Sequence, residues 1–325
     1  MRTAKKRKSR RRFERAALAV LAACVTGLYG LSLTTGFGQK ADIPMEVLIA
    51  RGLLPPALGD SDEERPQSSQ LAQAFHGMGY DLTSVARGER VVPRLYLANL
   101  PSDLDDINDS TVRKALFLRT MLPLVLSMNE TILADRKRLL AYAERTRAGL
   151  RVIPAERDWL NDLAQRYDVE DGDLFTLFQR VDAIPPSLAL AQAAEESGWG
   201  TSRFAQEGNA LFGQWTHKED KGLIPTDRAP NAGFAVKSFA SLAEAVRAYA
   251  LNLNTHQAYQ EFREARWTAR EAGQPLDGLQ LTDTLHRYSE RGDDYVETLR
   301  KLIRQNGLAA LDEARLGNRA LGPSY

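Results

Sequence analysis

The stretch Pro185-Pro186-Ser187-Leu188-Ala189-Leu190-Ala191-Gln192-Ala193-Ala194-Glu195-Glu196-Ser197-Gly198-Trp199-Gly200, followed by Gly208-Asn209-Ala210-Leu211-Phe212-Gly213, decides how the rest of the chain is read. Two prolines suit a first helical turn, where a missing N–H is harmless, and Gly198 suits the residue just past the last turn. The Ala-rich run between them predicts a helix with Glu196 in its final turn. A carboxylate there meets the negative end of the helix dipole, and shielding by Ala, Leu and Trp neighbours disfavours its charge further. Both effects favour the neutral acid, the state from which a carboxyl group donates a proton. Spacing alone equally allows Glu195 and Glu196 to be a solvated charge pair at a helix end.

The same residues carry a resemblance. Leu190-Ala191-Gln192-Ala193-Ala194, then Glu196-Ser197-Gly198-Trp199-Gly200, then Asn209-Ala210-Leu211-Phe212-Gly213 resembles the signature of the glucosaminidase family of peptidoglycan hydrolases, and Gln214-Trp215 is similar to its Bax-type bacterial members. The resemblance covers roughly residues 180 to 308, and more weakly the chain from about Val92. It implies an α+β, mainly helical fold: a lysozyme-like catalytic domain with a small β-lobe, preceded here by a transmembrane anchor and a helical segment. It also implies a β-N-acetylglucosaminidase that cuts the GlcNAc-MurNAc glycan strand, with Glu196 as catalytic acid. Glu195 stands where the family usually has an apolar residue.

Glycoside cleavage needs an acid on the bridging oxygen and a group that stabilises or intercepts the oxocarbenium-like centre. For the second role the sequence offers Glu219, Asp220 and Asp227, of which Asp227 is preferred from its position after Gly222. A single essential carboxylate, assisted by the substrate's acetamido group or a bound water, is the alternative. Sugar rings also present apolar faces to flat side chains. Trp199, Phe212 and Trp215 lie close in sequence to the acid, and Asn209 belongs to the motif, so these four are expected to bind substrate. Tyr288 and Tyr295 are similar to the family's paired tyrosines near the C-terminus. The resemblance places Tyr288 in the cleft beside Glu196 as a catalytic residue, its hydroxyl donating to Glu196 or to the attacking water, and counts Tyr295 among the substrate-binding residues, where packing is its commoner role. No metal and no cofactor is expected.

The net charge of +1 hides an uneven distribution, because nine Lys and Arg residues crowd positions 2 to 15 and leave the remainder acidic overall. Nucleic acid is therefore not an expected partner of the folded part. Residues 16–38 carry no charge and are long enough to cross a bilayer. With the basic run before them they predict a single-pass inner-membrane anchor, a cytoplasmic N-terminus and a periplasmic catalytic part facing the wall. A cleaved signal, giving a secreted protein, is the rival, and Leu21-Ala22-Ala23-Cys24 raises a lipid-anchored form. Cys24 is the single cysteine, so the exported part holds no disulfide.

The expected organisation is a basic tail over 1–15, the anchor over 16–38, a linker over 39–92, a helical N-terminal part over 93–180, the catalytic domain over 181–310 and a tail over 311–325. Val91 to Leu97 reads as extended. Apolar residues from Leu116 to Leu133 at three- and four-residue steps predict a long helix bent at Pro123, and shorter helices are expected over 154–167 and 174–181. Short alternating runs over 211–217 and 233–239 predict the β-lobe. Ser241 to Glu244 and Asp294 to Glu297 read as capping boxes, and Gly307 as a helix stop.

Other chemistries lack their residues. His76, His217, His256 and His286 have no metal-ligand spacing, and neither a Gly-x-Ser-x-Gly elbow nor a phosphate loop occurs. Two readings compete with glycan hydrolysis: a lytic transglycosylase, which also carries a Glu before Ser on a helix, and a non-catalytic glycan-binding protein. In every reading peptidoglycan glycan strands are the partner.

Overall fold

A computed structural model describes residue 65 and residues 67–216, 222–225 and 235–318. In chain order the helices are α1 (Ser68–Gly77), α2 (Leu82–Ala86), α3 (Ser110–Arg147), α4 (Pro154–Arg166), α5 (Leu174–Arg180), α6 (Pro186–Ser197), α7 (Arg203–Gly208), α8 (Leu242–Thr255), α9 (Gln260–Glu271), α10 (Gly278–Leu281) and α11 (Asp293–Gln305). Three short strands, β1 (Trp215–Thr216), β2 (Gly222–Leu223) and β3 (Ala235–Lys237), lie between α7 and α8. They form an antiparallel sheet in the order β1-β3-β2, with Trp215 opposite Val236 and Gly222 opposite Lys237. The class is α+β and mainly helical, as expected.

Helix α6 is the centre. Every residue from Pro186 to Ala194 is buried, so the Ala-rich sequence that gives the helix its propensity also lets neighbours approach from all sides. Its N-terminal amides need an acceptor that its own prolines do not supply. Asp312 provides it from far along the chain, accepting from the Ser187 N–H at 2.7 Å, the Ser187 hydroxyl at 2.8 Å and the Gly278 N–H at 3.0 Å. Gly278 must be glycine for this junction to close, because a Cβ there would stand 2.1 Å from Ser187 Oγ.

Helix α3 packs along α6. Asp109 caps it by accepting from the Thr111 N–H at 2.8 Å, and the helix runs on through Pro123 for 38 residues. It is long and apolar enough to cross a membrane, yet Leu116, Phe117, Met121, Leu122, Val125 and Met128 are buried against the rest of the protein, so it is a core helix. The proposed anchor at 16–38 lies outside the described residues. Asn129, buried on α3, exchanges two hydrogen bonds with the Ile184 backbone, at 2.7 and 2.9 Å, and thereby sets the start of α6 relative to α3.

Arginines fasten the turn between α5 and α6. The last carbonyls of a helix have no partners within it. Here Arg136 donates to the carbonyls of Phe178 and Val181, and fully buried Arg266 to those of Gln179, Asp182 and Ala183. The Asp182 carboxylate lies 2.9 Å from Arg270, 3.7 Å from Arg136 and 3.9 Å from Arg266. Burial pushes this carboxyl up, but Arg266, Arg270 and Arg136 together hold it below the usual carboxylate range.

Four expectations need correction. The linker does not run to residue 92: α1 and α2 belong to the core, with Leu71, Phe75, Tyr80 and Val85 at most 3% exposed. Ser68 at the head of α1 is tied to Asp103 by its N–H and its hydroxyl. At the other end, residues 311–317 are not a tail, because Leu311 and Leu316 are buried and Val92 pairs in parallel with Leu316. The boundary drawn at 180 is no break either, since one apolar cluster runs from Leu71 to Leu316. Finally, Gly292 and not Asp294 precedes the first turn of α11.

Phe75→Ala is therefore expected to destabilise the protein by about 3–5 kcal/mol in a urea titration, the cost of a large core truncation. A residue in a tether would cost nothing.

Candidate active site

The C-terminal end of α6 is built to stop abruptly. Gly198 takes the left-handed conformation past the last turn, and Trp199 follows it there at φ +60°, a costly state for a residue with a side chain. Two contacts hold Trp199 in place: its ring meets Phe117 edge-on at 5.9 Å, and Lys114 Nζ sits 4.8 Å from its centroid. Ser197 donates to the Ala193 carbonyl and accepts from the Gly200 N–H at 2.8 Å. Gly200 lies so close to α3 that a Cβ would stand 2.8 Å from Leu100 and 3.0 Å from Phe117. Around Glu196, then, the motif Ser197-Gly198-Trp199-Gly200 is scaffold.

Glu196 itself is half-buried. Burial raises its carboxyl from the ordinary 4.5 to about 7, a hydrogen bond from Tyr295 offsets part of that rise, the neighbouring Glu195 charge adds to it, and Arg291 lowers it slightly. Gly213, at φ +60°, is the facing backbone, and a Cβ there would come within 3.1 Å of Glu196 Oε2. Glycine at the end of the second half-motif thus leaves room for the carboxyl. Glu195 turns the other way and accepts from Arg291 Nη1 at 2.7 Å. Geometry separates the two acids: one is an ion pair at the surface, the other a carboxyl whose titration burial raises to about 7.

The two tyrosines take different places beside Glu196. Tyr295, 1% exposed, is the one whose hydroxyl reaches Glu196, and it also accepts from Gln192 Nε2 at 3.1 Å. Tyr288 donates to the Phe212 carbonyl at 3.2 Å, and its half-buried ring stacks on Tyr295 at 5.5 Å and 2°. Of the other expected site residues, Asn209 is buried and donates to Asn99 Oδ1 and the Phe239 carbonyl. Phe212 is buried too, stacked on Tyr249 at 3.9 Å. Both therefore build the wall of the site. Trp215 is half-buried on β1, two residues from Gly213. Asp227, with Glu219 and Asp220, lies outside the described residues. Among the described residues no group of three His, Cys, Asp or Glu is placed to hold a metal ion.

Residues 173–308 match the glucosaminidase family, described as mannosyl-glycoprotein endo-beta-N-acetylglucosaminidase. Over 215 residues the chain is 39% identical to Protein bax of Escherichia coli (strain K12), an overlap that covers 64% of this chain and 75% of that one. The chain belongs to the glucosaminidase family, as a Bax-type member. No solved structure matches it. It therefore sits among peptidoglycan-related glycosidases, whose substrates are glycans.

In this family member, sequence reading missed Gln192, Tyr249, Arg291 and Gly213. Gln192 carried a signal: it is a lone polar residue in an apolar helix, one turn before Glu196 and hence on its face. Tyr249 and Arg291 come from distant segments and carried none.

The raised acid has a consequence for stability. A carboxyl that titrates near 7 when folded and at 4.5 when unfolded favours the fold in its neutral form, so its contribution is whole below pH 4.5 and gone above about pH 7. Glu196→Gln should therefore raise the melting temperature more at pH 8 than at pH 4.5, by scanning calorimetry. An equal gain at both pH values would contradict the raised titration.

Proposed function

We propose that this protein is a peptidoglycan hydrolase, a β-N-acetylglucosaminidase that cleaves the GlcNAc-MurNAc glycan strand with Glu196 as general acid. The observation that carries the reading is a half-buried carboxyl, raised by burial to titrate near 7 and hydrogen-bonded by a phenol, in a glucosaminidase motif. In this reading the Glu196 proton passes to the bridging oxygen as the bond from that oxygen to C1 breaks. Water then adds to C1, and the proton it sheds goes to a base, leaving a free reducing GlcNAc. Tyr295 keeps its hydrogen bond to one carboxyl oxygen, so the proton resides on the other, toward the substrate. The half-exposed rings of Tyr288 and Trp215 are the aromatic surfaces left to meet sugar faces. Asp227 or the substrate's acetamido group supplies the second component.

The proposed location is the periplasmic face of the inner membrane, through residues 16–38. What supports it is the basic run over positions 2 to 15 followed by an uncharged apolar stretch.

Glu196→Gln should reduce release of muropeptides from purified sacculi about 10²–10⁴-fold, the usual contribution of general acid catalysis. Mass spectrometry of the wild-type products should show reducing GlcNAc ends. Ends in the 1,6-anhydro form would make the protein a lytic transglycosylase, and binding to sacculi without any released sugar would make it a wall-binding protein.

A general acid works only while protonated, so kcat/KM is expected to fall as pH rises through about 7. Glu195→Gln removes a negative neighbour and frees Arg291 to act on Glu196. Both changes favour the ionised acid, so this variant should stay active with its alkaline limb moved to lower pH. Loss of activity comparable to Glu196→Gln would mean that the two glutamates share the acid role.

A further inference from the structure

Tyr295 reaches Glu196 with a hydroxyl that has a single proton, and what surrounds that hydroxyl determines where the proton points. The far partner is Gln192, fully buried on α6 and one helical turn before Glu196. Its amide nitrogen donates to the Tyr295 oxygen at 3.1 Å, while its amide oxygen accepts from the hydroxyl of Tyr249, equally buried on α8, at 2.7 Å. An amide has one acceptor end and one donor end. In the structure the acceptor end of Gln192 faces Tyr249. The donor end must then face Tyr295, whose own proton is left for Glu196. Were the amide reversed, its oxygen would compete for the Tyr295 proton and Glu196 would lose its donor.

We propose that Gln192 and Tyr249 are positioning residues for the acid: a directional chain from Tyr249 through Gln192 to Tyr295 aims the Tyr295 proton at Glu196 and so sets which carboxyl oxygen carries the acidic proton. The proposal deepens the reading of Glu196 as general acid and rests on it for its catalytic consequence. Nothing in the chain touches substrate. Tyr249 is held by the stacked ring of Phe212, which explains why a motif residue is spent on the wall of the site. The other charged and titratable groups that face Glu196 among the described residues are Glu195 on its own helix and Arg291 on the segment before α11. Tyr288 lies behind Tyr295, Tyr259 lies beyond Tyr288 at 5.6 Å between rings, and Asp312 is bound at the opposite end of α6. None of these competes for the Tyr295 hydroxyl in the way Gln192 does.

The test is Tyr249→Phe, which keeps the ring and removes the proton that fixes the amide, followed by carbon-13 NMR titration of Glu196, with its signal assigned from Glu196→Gln. The Tyr295 bond lowers the Glu196 carboxyl, so weakening it is expected to move the midpoint upward by about one pH unit, the worth of one hydrogen bond to a charged group. In turnover of sacculi the same variant should lose about tenfold in kcat, with KM within about twofold, and its alkaline limb should follow the NMR midpoint. In a Tyr295→Phe background, Tyr249→Phe should move the midpoint no further, because it acts through Tyr295. A buried tyrosine with a purely structural role would lower stability and leave the midpoint alone. Should Tyr249→Phe prove too unstable to titrate, the nearly isosteric Gln192→Glu replaces the donor facing Tyr295 by an acceptor; its charge alone raises the midpoint, so the shift must be larger than the one the same substitution gives in a Tyr295→Phe background.

An unmoved midpoint, or shifts that add in the double variant, overturns the chain. A midpoint that moves as expected in a protein that releases no sugar supports the chain and overturns the hydrolase reading instead, so the two failures are distinct.

Discussion

An apolar helix buried on every side constrains the rest of this structure. From Pro186 to Ala194 nothing on α6 faces solvent, so its ends have to be satisfied by other parts of the chain. Asp312 closes the N-terminal end across 125 residues of sequence separation, and Asn129 and the arginines around Asp182 hold the backbone that leads into it. Helices α3, α10 and α11 and the segment over Leu308–Leu311 pack around it. The last turn carries the first side chains that reach partial exposure, and Glu195 and Glu196 are those side chains. The position of the acid follows from where burial ends.

That position puts local stability in conflict with chemistry. A carboxyl at the C-terminal end of a buried helix is disfavoured as an anion by desolvation and by the helix dipole. The protein divides the difficulty between two adjacent residues. Glu195 receives a full counter-charge from Arg291 and stays an ion pair at the rim. Glu196 receives only a phenol, which donates one hydrogen bond and brings no opposite charge, so the raised carboxyl survives. An arginine in place of Tyr295 would have abolished the neutral acid, whereas an apolar residue would have left its orientation open.

Much of this was legible in the sequence, and the rest was hidden for identifiable reasons. The prolines and Gly198 bounded α6 correctly because each acts through its own backbone. Ser241 was read correctly as a cap for the same reason, accepting from the Glu244 N–H while Glu244 reaches back to the Ala240 N–H. Which tyrosine lies deeper beside the acid was not legible because the Gly292 turn stands between them, and no periodicity bridges a positive-φ glycine to say which ring points inward. Asn209, Phe212 and Trp199 were expected to hold substrate since they flank the acid in sequence. Proximity in sequence to a buried helix end turned out to mean packing against it. The folded extent of residues 68–86 was missed since two short helices with few apolar residues resemble a linker until a groove lined by α3 accepts them.

The charged groups that matter for folding and for the cleft titrate in opposite senses, which fixes a working range for the molecule. Asp182 is held below the ordinary carboxylate range by Arg266, Arg270 and Arg136 against the push of burial. Its contribution to stability is therefore present above its unfolded value and is lost only as pH falls through the lowered folded value. Glu196 runs the other way, neutral and stabilising at low pH, ionised and costly above about pH 7. Between the two lies an interval in which the scaffold carboxylate is charged and the site carboxyl is not. Separate elements hold the two groups, Asp182 in the turn before α6 and Glu196 in its last turn, with about 15 Å of helix between Pro186 and Glu196 by the rise per residue. Neither group is among the charges that shift the other, so each keeps the protonation state its own neighbours impose. A single helix can thus be locked by a permanent anion at one end and carry a removable proton at the other.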